Sequence, residues 1–335
     1  MTVAGQAPGD VRQDVPVPSP SQPRPPRVWS GSQVPQRDLG RTVVTIGVFD
    51  GFHRGHQAIV TEAVRLARAG QMSCVAITFD PHPAAVLRPA GAVAMLASVA
   101  RRTDLLAQAG VDAVWVLPFT TELSQLTPEQ FVHDILVARL HPAAVVVGEN
   151  FRFGHRASGD VTALAELGAG HDFAAVAVPL AGDPGQPVWS STRVRAAVEA
   201  GDVAGAAAIL GRPHRVEGTV VHGDHRGRDL GYPTANLRAD PGAALPGDGV
   251  YSGWLVRGDG QRLPAAISVG TNPTFDGTAR RAEAYVLDRT DLDLYGERVA
   301  LDFADRLRPM LRFDSVPDLL AQMAQDVAAA RGQVG

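Results

Sequence analysis

The chain contains no lysine; all 31 of its Lys and Arg positions are arginine. That absence excludes a P-loop of the usual kind, whose lysine reaches the β- and γ-phosphates of a nucleotide. Any phosphate handled here must be held by arginine, histidine, backbone N–H groups and metal. There is one cysteine, Cys74, so no internal disulfide can form, and a cytoplasmic protein is the natural expectation. Basic residues do not exceed acidic ones (31 against 35), and a net charge of −4 gives no overall basic field for nucleic acid. Every apolar run is far short of the ~20 residues that span a bilayer, and no signal-peptide pattern is visible. Neither a nucleic acid nor a membrane is therefore expected as a partner.

What is present is enough for two domains. The chain has 335 residues and is 45% apolar, which supports real hydrophobic cores. Residues 1–26 are rich in Pro, Gln and Ser and carry too little apolar surface to offset the entropy of ordering, so a disordered tail is expected. From Arg41 onward, short β-branched runs alternate with amphipathic stretches. Strands are expected at residues 42–47, 73–79, 112–119, 143–148 and 173–179. Helices are expected between them, ending with 192–201 and 202–211. The helix over 127–140 has a strong start: Thr127 as N-cap, Pro128 at the first helical position and Gln130 completing a capping box. Strands separated by helices of this length imply βαβ units and a parallel, doubly wound sheet.

After Gly211-Arg212-Pro213 the rhythm changes to strand patterns joined by glycine-rich links. Residues 250–270 read as a hairpin turning at Gly258–Gly260. Helical pattern returns only near the end, where Ser315 and Asp318 fit a helix start. The second unit is expected to be an antiparallel barrel with a C-terminal helix packed on it.

The densest chemistry is in VVTIGVFDGFHRGH, residues 43–56. Strand, glycine turn and helix place His53 and His56 at the C-terminal edge of a parallel sheet. That edge is where open α/β sheets bind ligands, and a helix N-terminus favours anions. Three readings of the residues stand. The imidazoles could donate hydrogen bonds to a phosphoryl group in transit, where charge builds on non-bridging oxygens. They could bind a metal, although no third ligand is close in sequence. They could be surface histidines on an ordinary turn.

HRGH matches the HxGH signature of the nucleotidylyltransferase superfamily. FDPHP (79–83), VGENFRFG (147–154) and SSTRVR (190–195) follow, each at a strand end or helix start. Together they resemble the adenylyltransferase module of the prokaryotic bifunctional riboflavin kinase/FMN adenylyltransferase family. The resemblance implies that His53 and His56 bind the triphosphate and stabilise the transition state. It implies that Gly47, Phe49, Asp50 and Gly51 shape the ATP pocket, and that Asn150 contacts the nucleotide phosphates or the flavin side. Ser191, Thr192 and Arg195 are implied to grip the β- and γ-phosphates, with no lysine able to replace the arginine. Asp80 and Phe151 are implied to lie near the flavin. On the residues alone, Asn150 could merely cap a turn, Asp80 could simply end its strand, and Phe151 and Phe153 fit a core equally well.

In the second unit the dense segment is GDHRGRDLGYPTANL, residues 223–237. Gly223, Gly227 and Gly231 make a loop able to bring N–H groups against phosphate oxygens. Thr234 and Asn236, two apart, share one face of an extended strand. Their neutral oxygens suit Mg²⁺ when substrate phosphates supply the negative charge. A hairpin rich in turn residues is the plain alternative. The whole string, with GRPHRVEGTVVHG before it and VGTNPTFDG and EAYVLD after it, resembles the riboflavin kinase module of the same family. The resemblance implies a six-stranded barrel, and it places Glu283 as the base for the ribityl 5′-hydroxyl. Unaided, Glu283 reads as an ordinary outward strand residue.

The resemblance covers nearly everything from Arg27 to Arg331. It implies a Rossmann-like adenylyltransferase domain over 27–200, a helical linker over 201–213 and a kinase barrel over 214–335. The implied activity is riboflavin plus ATP to FMN, then FMN plus ATP to FAD with release of pyrophosphate, both steps with Mg²⁺. It also implies contacts between modules of neighbouring chains, that is, a homo-oligomer. The rival expectations are a chain with only one working domain, and a flavin-binding regulatory protein that reuses the barrel.

Overall fold

A computed structural model describes residues 27–31, 39–91, 93–223, 231–271 and 280–335. The expected tail over 1–26, and Gly227, lie outside them. The N-terminal lobe runs β1 (Arg27–Ser30), β2 (Thr42–Ile46), α1 (Arg54–Ala69), β3 (Ser73–Asp80), α2 (Pro83–Leu87), α3 (Val99–Gln108), β4 (Ala113–Pro118) and α4 (Thr121–Gln125). It continues through α5 (Pro128–Phe131), a π-helical turn (Val132–Val137), α6 (Ala138–Leu140), β5 (Pro142–Gly148), α7 (Val161–Gly170), β6 (Ala174–Val178), α8 (Ser191–Ala200) and α9 (Val203–Leu210). All five strand pairings are parallel, and the order across the sheet is β1-β4-β3-β2-β5-β6.

This order fixes where a ligand can bind. The chain winds outward from β2 through β3 to β4, then returns to lay β5 on the other side of β2. Connections on either side of the β2/β5 boundary therefore leave the sheet in opposite directions and open a crevice at the C-terminal ends of those two strands. Every residue of β2 is buried, as in a strand covered on both faces. Val44, Ile77 and Trp115 feed the core on one face; Val43, Cys74 and Val114 feed the core on the other.

Two local features differ from expectation. β1 was not foreseen; it adds a parallel edge strand beside β4, and four mostly exposed residues carry no alternation that could signal it. The helix expected over 127–140 begins with the predicted Thr127–Gln130 capping box but then widens into the π turn. Val132, Leu136 and Leu140 are all buried and recur every four residues, more than the 3.6 of an α-helix. One wider turn offsets that drift and keeps the three on one face.

The C-terminal lobe is a closed antiparallel barrel of six strands: β7 (His214–Val221), β8 (Thr234–Ala239), β9 (Gly249–Val256), β10 (Arg262–Thr271), β11 (Arg280–Val286) and β12 (Arg298–Pro309). Closure removes exposed sheet edges. Ala282, Ala284 and Val286 of β11 join the interior core, so the alternate residues, Glu283 among them, face outward. Ser315 caps α10 (Val316–Val334) as its sequence predicts, and that helix packs on β9, β10 and β12.

The lobes share a small apolar cluster of Leu96, Val194, Val198, Ala206, Ile209, Leu210 and Ala244. Backbone bonds reinforce it: Met95 N–H donates to Gly242 O (2.7 Å) and Ala244 N–H donates to Met95 O (2.8 Å). No helix among the described residues is long and apolar enough to cross a membrane.

Candidate active sites

The crevice at the β2/β5 boundary holds a cavity of about 270 Å³. Its walls come from the end of β2 (Ile46, Gly47), the start of α1 (His53, His56), the end of β5 (Gly148, Asn150, Phe151) and the start of α8 (Trp189, Ser190, Ser191). Among its described lining residues there is no Asp or Glu.

His53 is the N-cap of α1, and its Nδ1 accepts from the backbone N–H of His56 at 3.4 Å. An accepting Nδ1 assigns the proton of the neutral ring to Nε2. The two imidazoles stack, with centroids 3.7 Å apart and planes 22° apart. Burial first, and then the Arg212 cation, lower the His53 pKa to about 4. His56 is held well below the ordinary histidine value by burial and by its neighbour His53. Its Nδ1 is buried and has no hydrogen-bond partner among the described residues. Both rings are thus neutral near pH 7 and able to donate to an incoming anion.

The turn between β2 and α1 is unusual backbone. Phe49, Gly51 and Phe52 all have left-handed φ, at 52°, 73° and 41°. Only glycine adopts that region freely, so the two phenylalanines store strain that the surroundings must hold. Phe49 packs edge-on against His56 (5.3 Å) and lies over Gly47, where a Cβ would meet its ring at 2.9 Å.

The remaining expected residues divide. Asp50 is buried; its carboxylate accepts from the N–H groups of Leu96 (3.0 Å) and Ala97 (3.1 Å) and pairs with Arg195 at 2.5 Å. Arg195 also donates to Ala94 O at 2.7 Å. Ser191 Oγ donates to Asp50 O at 2.8 Å. Gly47, Phe49, Asn150, Phe151 and Ser191 line the cavity, whereas Gly51, Asp50, Thr192 and Arg195 do not. Asp80 lines a different cavity, of about 360 Å³, between the lobes. Trp189 is a wall residue that sequence reading missed, although it directly precedes the SSTR motif.

The barrel carries a second constellation. Antiparallel pairing of β8 with β11 sets Asn236 opposite Glu283 and Thr234 opposite Tyr285. Thr234 Oγ1 donates to Glu283 Oε2 at 3.5 Å. Thr234 sits between two cavities. One, about 70 Å³, is lined by Gly223, Pro233, Asn236 and Tyr295. The other, about 230 Å³, lies between the outer barrel face and α10 and is lined by Glu283, Tyr285, Met310 and Met323. Gly223 is tight against Asn236, since a Cβ there would lie 2.3 Å from Asn236 Nδ2. Gly231 has φ +84° and lines neither cavity.

Two family models divide the chain between them: FAD synthetase matches residues 35–193 and riboflavin kinase matches 210–334. Curated relatives match both parts together. The bifunctional riboflavin kinase/FMN adenylyltransferase of Listeria monocytogenes is 37% identical over 286 residues, covering 85% of this chain and 90% of the relative. The chain belongs to the bifunctional riboflavin kinase/FMN adenylyltransferase family. The family member from Escherichia coli K12 is 34% identical over 90% of this chain and 94% of its own, and that from Pseudomonas fluorescens is 40% identical over 86% and 92%. A solved structure from Streptococcus pneumoniae, described as a macrolide-efflux protein, superposes with a TM-score of 0.80 at 34% identity, over 88% of this chain and 96% of its own. The first match falls within the N-terminal lobe and the second spans the barrel lobe, and each stretch contains one of the constellations above.

Proposed function

We propose that the chain makes FAD from riboflavin in two ATP-dependent steps at two separate sites. The reading rests above all on one observation: a stacked, neutral histidine pair at the switch point of a parallel sheet, and a Thr–Asn–Glu cluster on a barrel, occur in one polypeptide. The adenylyltransferase module is assigned to 27–200, the linker to 201–213 and the kinase module to 214–335.

In the kinase step, Glu283 accepts the proton of the ribityl 5′-hydroxyl as that oxygen attacks the γ-phosphorus of ATP. The bond from γ-phosphorus to the bridging oxygen breaks, and ADP leaves. Riboflavin occupies the cavity beneath α10, which reaches Glu283, and the ATP phosphates lie on the Gly223–Asn236 side. Thr234, which lines both cavities, marks the boundary the phosphoryl group crosses. Mg²⁺ would be held by Thr234 Oγ1 and Asn236 Oδ1, hard oxygen donors that suit it. Among the described residues no group of three or more His, Cys, Asp or Glu is placed to hold a metal, and substrate phosphates would supply the remaining oxygen donors. When bound, Mg²⁺ neutralises phosphate charge.

In the adenylylation step, a phosphate oxygen of FMN attacks the α-phosphorus of ATP and the α–β bridging bond breaks to release pyrophosphate. No side-chain base is needed, because the FMN phosphate is already ionised. The chain's contribution is placement and stabilisation of charge. His53 donates from Nε2, and His56 lies stacked beside it. Phe151 borders the flavin end of the cavity. Arg195 contributes to phosphate binding only if it exchanges its Asp50 contact for the polyphosphate. A single cysteine that can form no internal disulfide suits a cytoplasmic setting.

The test is a time course with purified protein, riboflavin, ATP and Mg²⁺, resolved by chromatography. FMN should rise first and then give way to FAD. FMN that accumulates without FAD, even when FMN is supplied directly, would contradict the histidine site.

A further inference from the structure

One of the residues that hold the histidine turn in place lies outside the stretch matched by the FAD synthetase model. Arg212 lies beyond α9, within the stretch matched by the riboflavin kinase model. Its guanidinium donates to Gly51 O at 2.7 Å, to Phe52 O at 3.1 Å and to Leu210 O at 3.3 Å. Gln57 of α1 closes the same clamp, its Nε2 donating to Phe52 O and Leu210 O, each at 2.9 Å. Two of these carbonyls, those of Gly51 and Phe52, belong to the residues immediately before His53, both with left-handed φ.

We infer that Arg212 is a positioning residue for FMN adenylylation, supplied by the linker that leads into the barrel to fix the strained turn that presents His53.

Three observations carry this. First, positive φ at Phe52 costs free energy, so the turn persists only where neighbours over-determine it; Arg212 supplies two hydrogen bonds to its carbonyls. Second, Arg212 is held there against its own electrostatics. Burial and the nearby Arg101 and Arg215 cations lower its pKa to about 10, with Asp302 alone acting the other way. Among the described residues Arg212 has no carboxylate within ion-pair distance, and its three hydrogen bonds all go to backbone carbonyls. Third, its charge reaches the imidazole, where it adds to the effect of burial in keeping His53 neutral. The groups facing His53 are His56 of α1 and Arg212; those facing Arg212 are Arg101 of α3, Arg215 of β7 and Asp302 of β12.

The inference rests on the reading of His53 as a phosphate-handling group, and the experiment separates the two. Full-length Arg212→Met and Arg212→Lys are compared with wild type and with His53→Ala. Riboflavin kinase and FMN adenylyltransferase rates are measured on the same preparations, and His53 is titrated by NMR. Arg212→Met should lower kcat for adenylylation roughly 10- to 100-fold, as expected of a reactive group displaced by about an ångström. Its riboflavin kinase rate should stay within about twofold of wild type, as expected when only the other site's geometry is disturbed. The His53 titration should move upward from about 4 in the Met variant and return towards wild type in the Lys variant, which restores charge but not the fork of donors. An unchanged His53 titration together with full adenylylation overturns the inference. So does a parallel loss of both activities, which would make Arg212 a general support of the fold. If His53→Ala adenylylates normally while Arg212→Met does not, it is the reading of His53 that fails.

Discussion

At the scale of single residues, the account depends on His53 and His56 being neutral until a polyphosphate arrives. An imidazole whose folded-state pKa lies below its unfolded value makes the unfolded chain the better proton acceptor. The stability associated with it is therefore complete above the unfolded pKa of 6.5 and is lost as pH falls towards the folded value of about 4. For His53 alone the loss between pH 7 and pH 5 is about 2 kcal/mol. His53→Asn keeps an N-cap acceptor for α1 but removes the titration. Denaturation of both proteins at pH 7 and pH 5 should show a steeper decline in wild type by about that amount; equal declines would mean His53 is not shielded as described. In the barrel, Gly223 makes an equally local prediction. A methyl group there must displace the Asn236 side chain, since only 2.3 Å separates them. Gly223→Ala should lose most riboflavin phosphorylation while leaving adenylylation of supplied FMN intact. Normal kinase activity in that variant would take Asn236 out of the site.

At the scale of elements, Asp50 shows how a motif residue can act through the architecture. It ties the turn after β2 to the backbone of Leu96 and Ala97 and to Arg195 of α8, so three segments meet on one buried carboxylate. Asp50→Ala leaves those donors unpaired, and stability should fall by about 3 kcal/mol with FAD formation lost alongside it; an undisturbed melting profile would contradict this role. The elements themselves were mostly legible. The apolar runs of β2 to β6, the Thr127 capping box and the Ser315 cap each carry a local signal that the fold obeys. β1 and the π turn were not, because one depends on a tertiary edge and the other on a small mismatch between helical period and burial. Site residues divide in the same way. His53 announces itself by following a strand and a glycine turn, and stacking with His56 follows from their spacing on α1. Glu283 carries no local signal, since only the β8–β11 register brings it opposite Asn236. Arg212 is invisible in sequence for the same reason, as 160 residues separate it from Phe52.

At the scale of the molecule, two folds with different ligand-binding logic share one chain. The parallel sheet places its cavity at a topological switch point; the barrel places its own between its outer face and α10. The lobes touch through the Leu96–Ala244 cluster, the Met95 backbone bonds and a Ser98 hydroxyl that donates to Glu217 of β7 at 2.5 Å. None of these contacts merges the cavities, so chemistry at one site should survive loss of the other. The most direct measurement is a crossed pair of variants in one chromatographic assay. His56→Ala should still convert riboflavin to FMN but form no FAD. Glu283→Gln should leave riboflavin untouched yet convert supplied FMN to FAD. FAD formation at the wild-type rate by His56→Ala, or FMN formation at the wild-type rate by Glu283→Gln, would contradict the account.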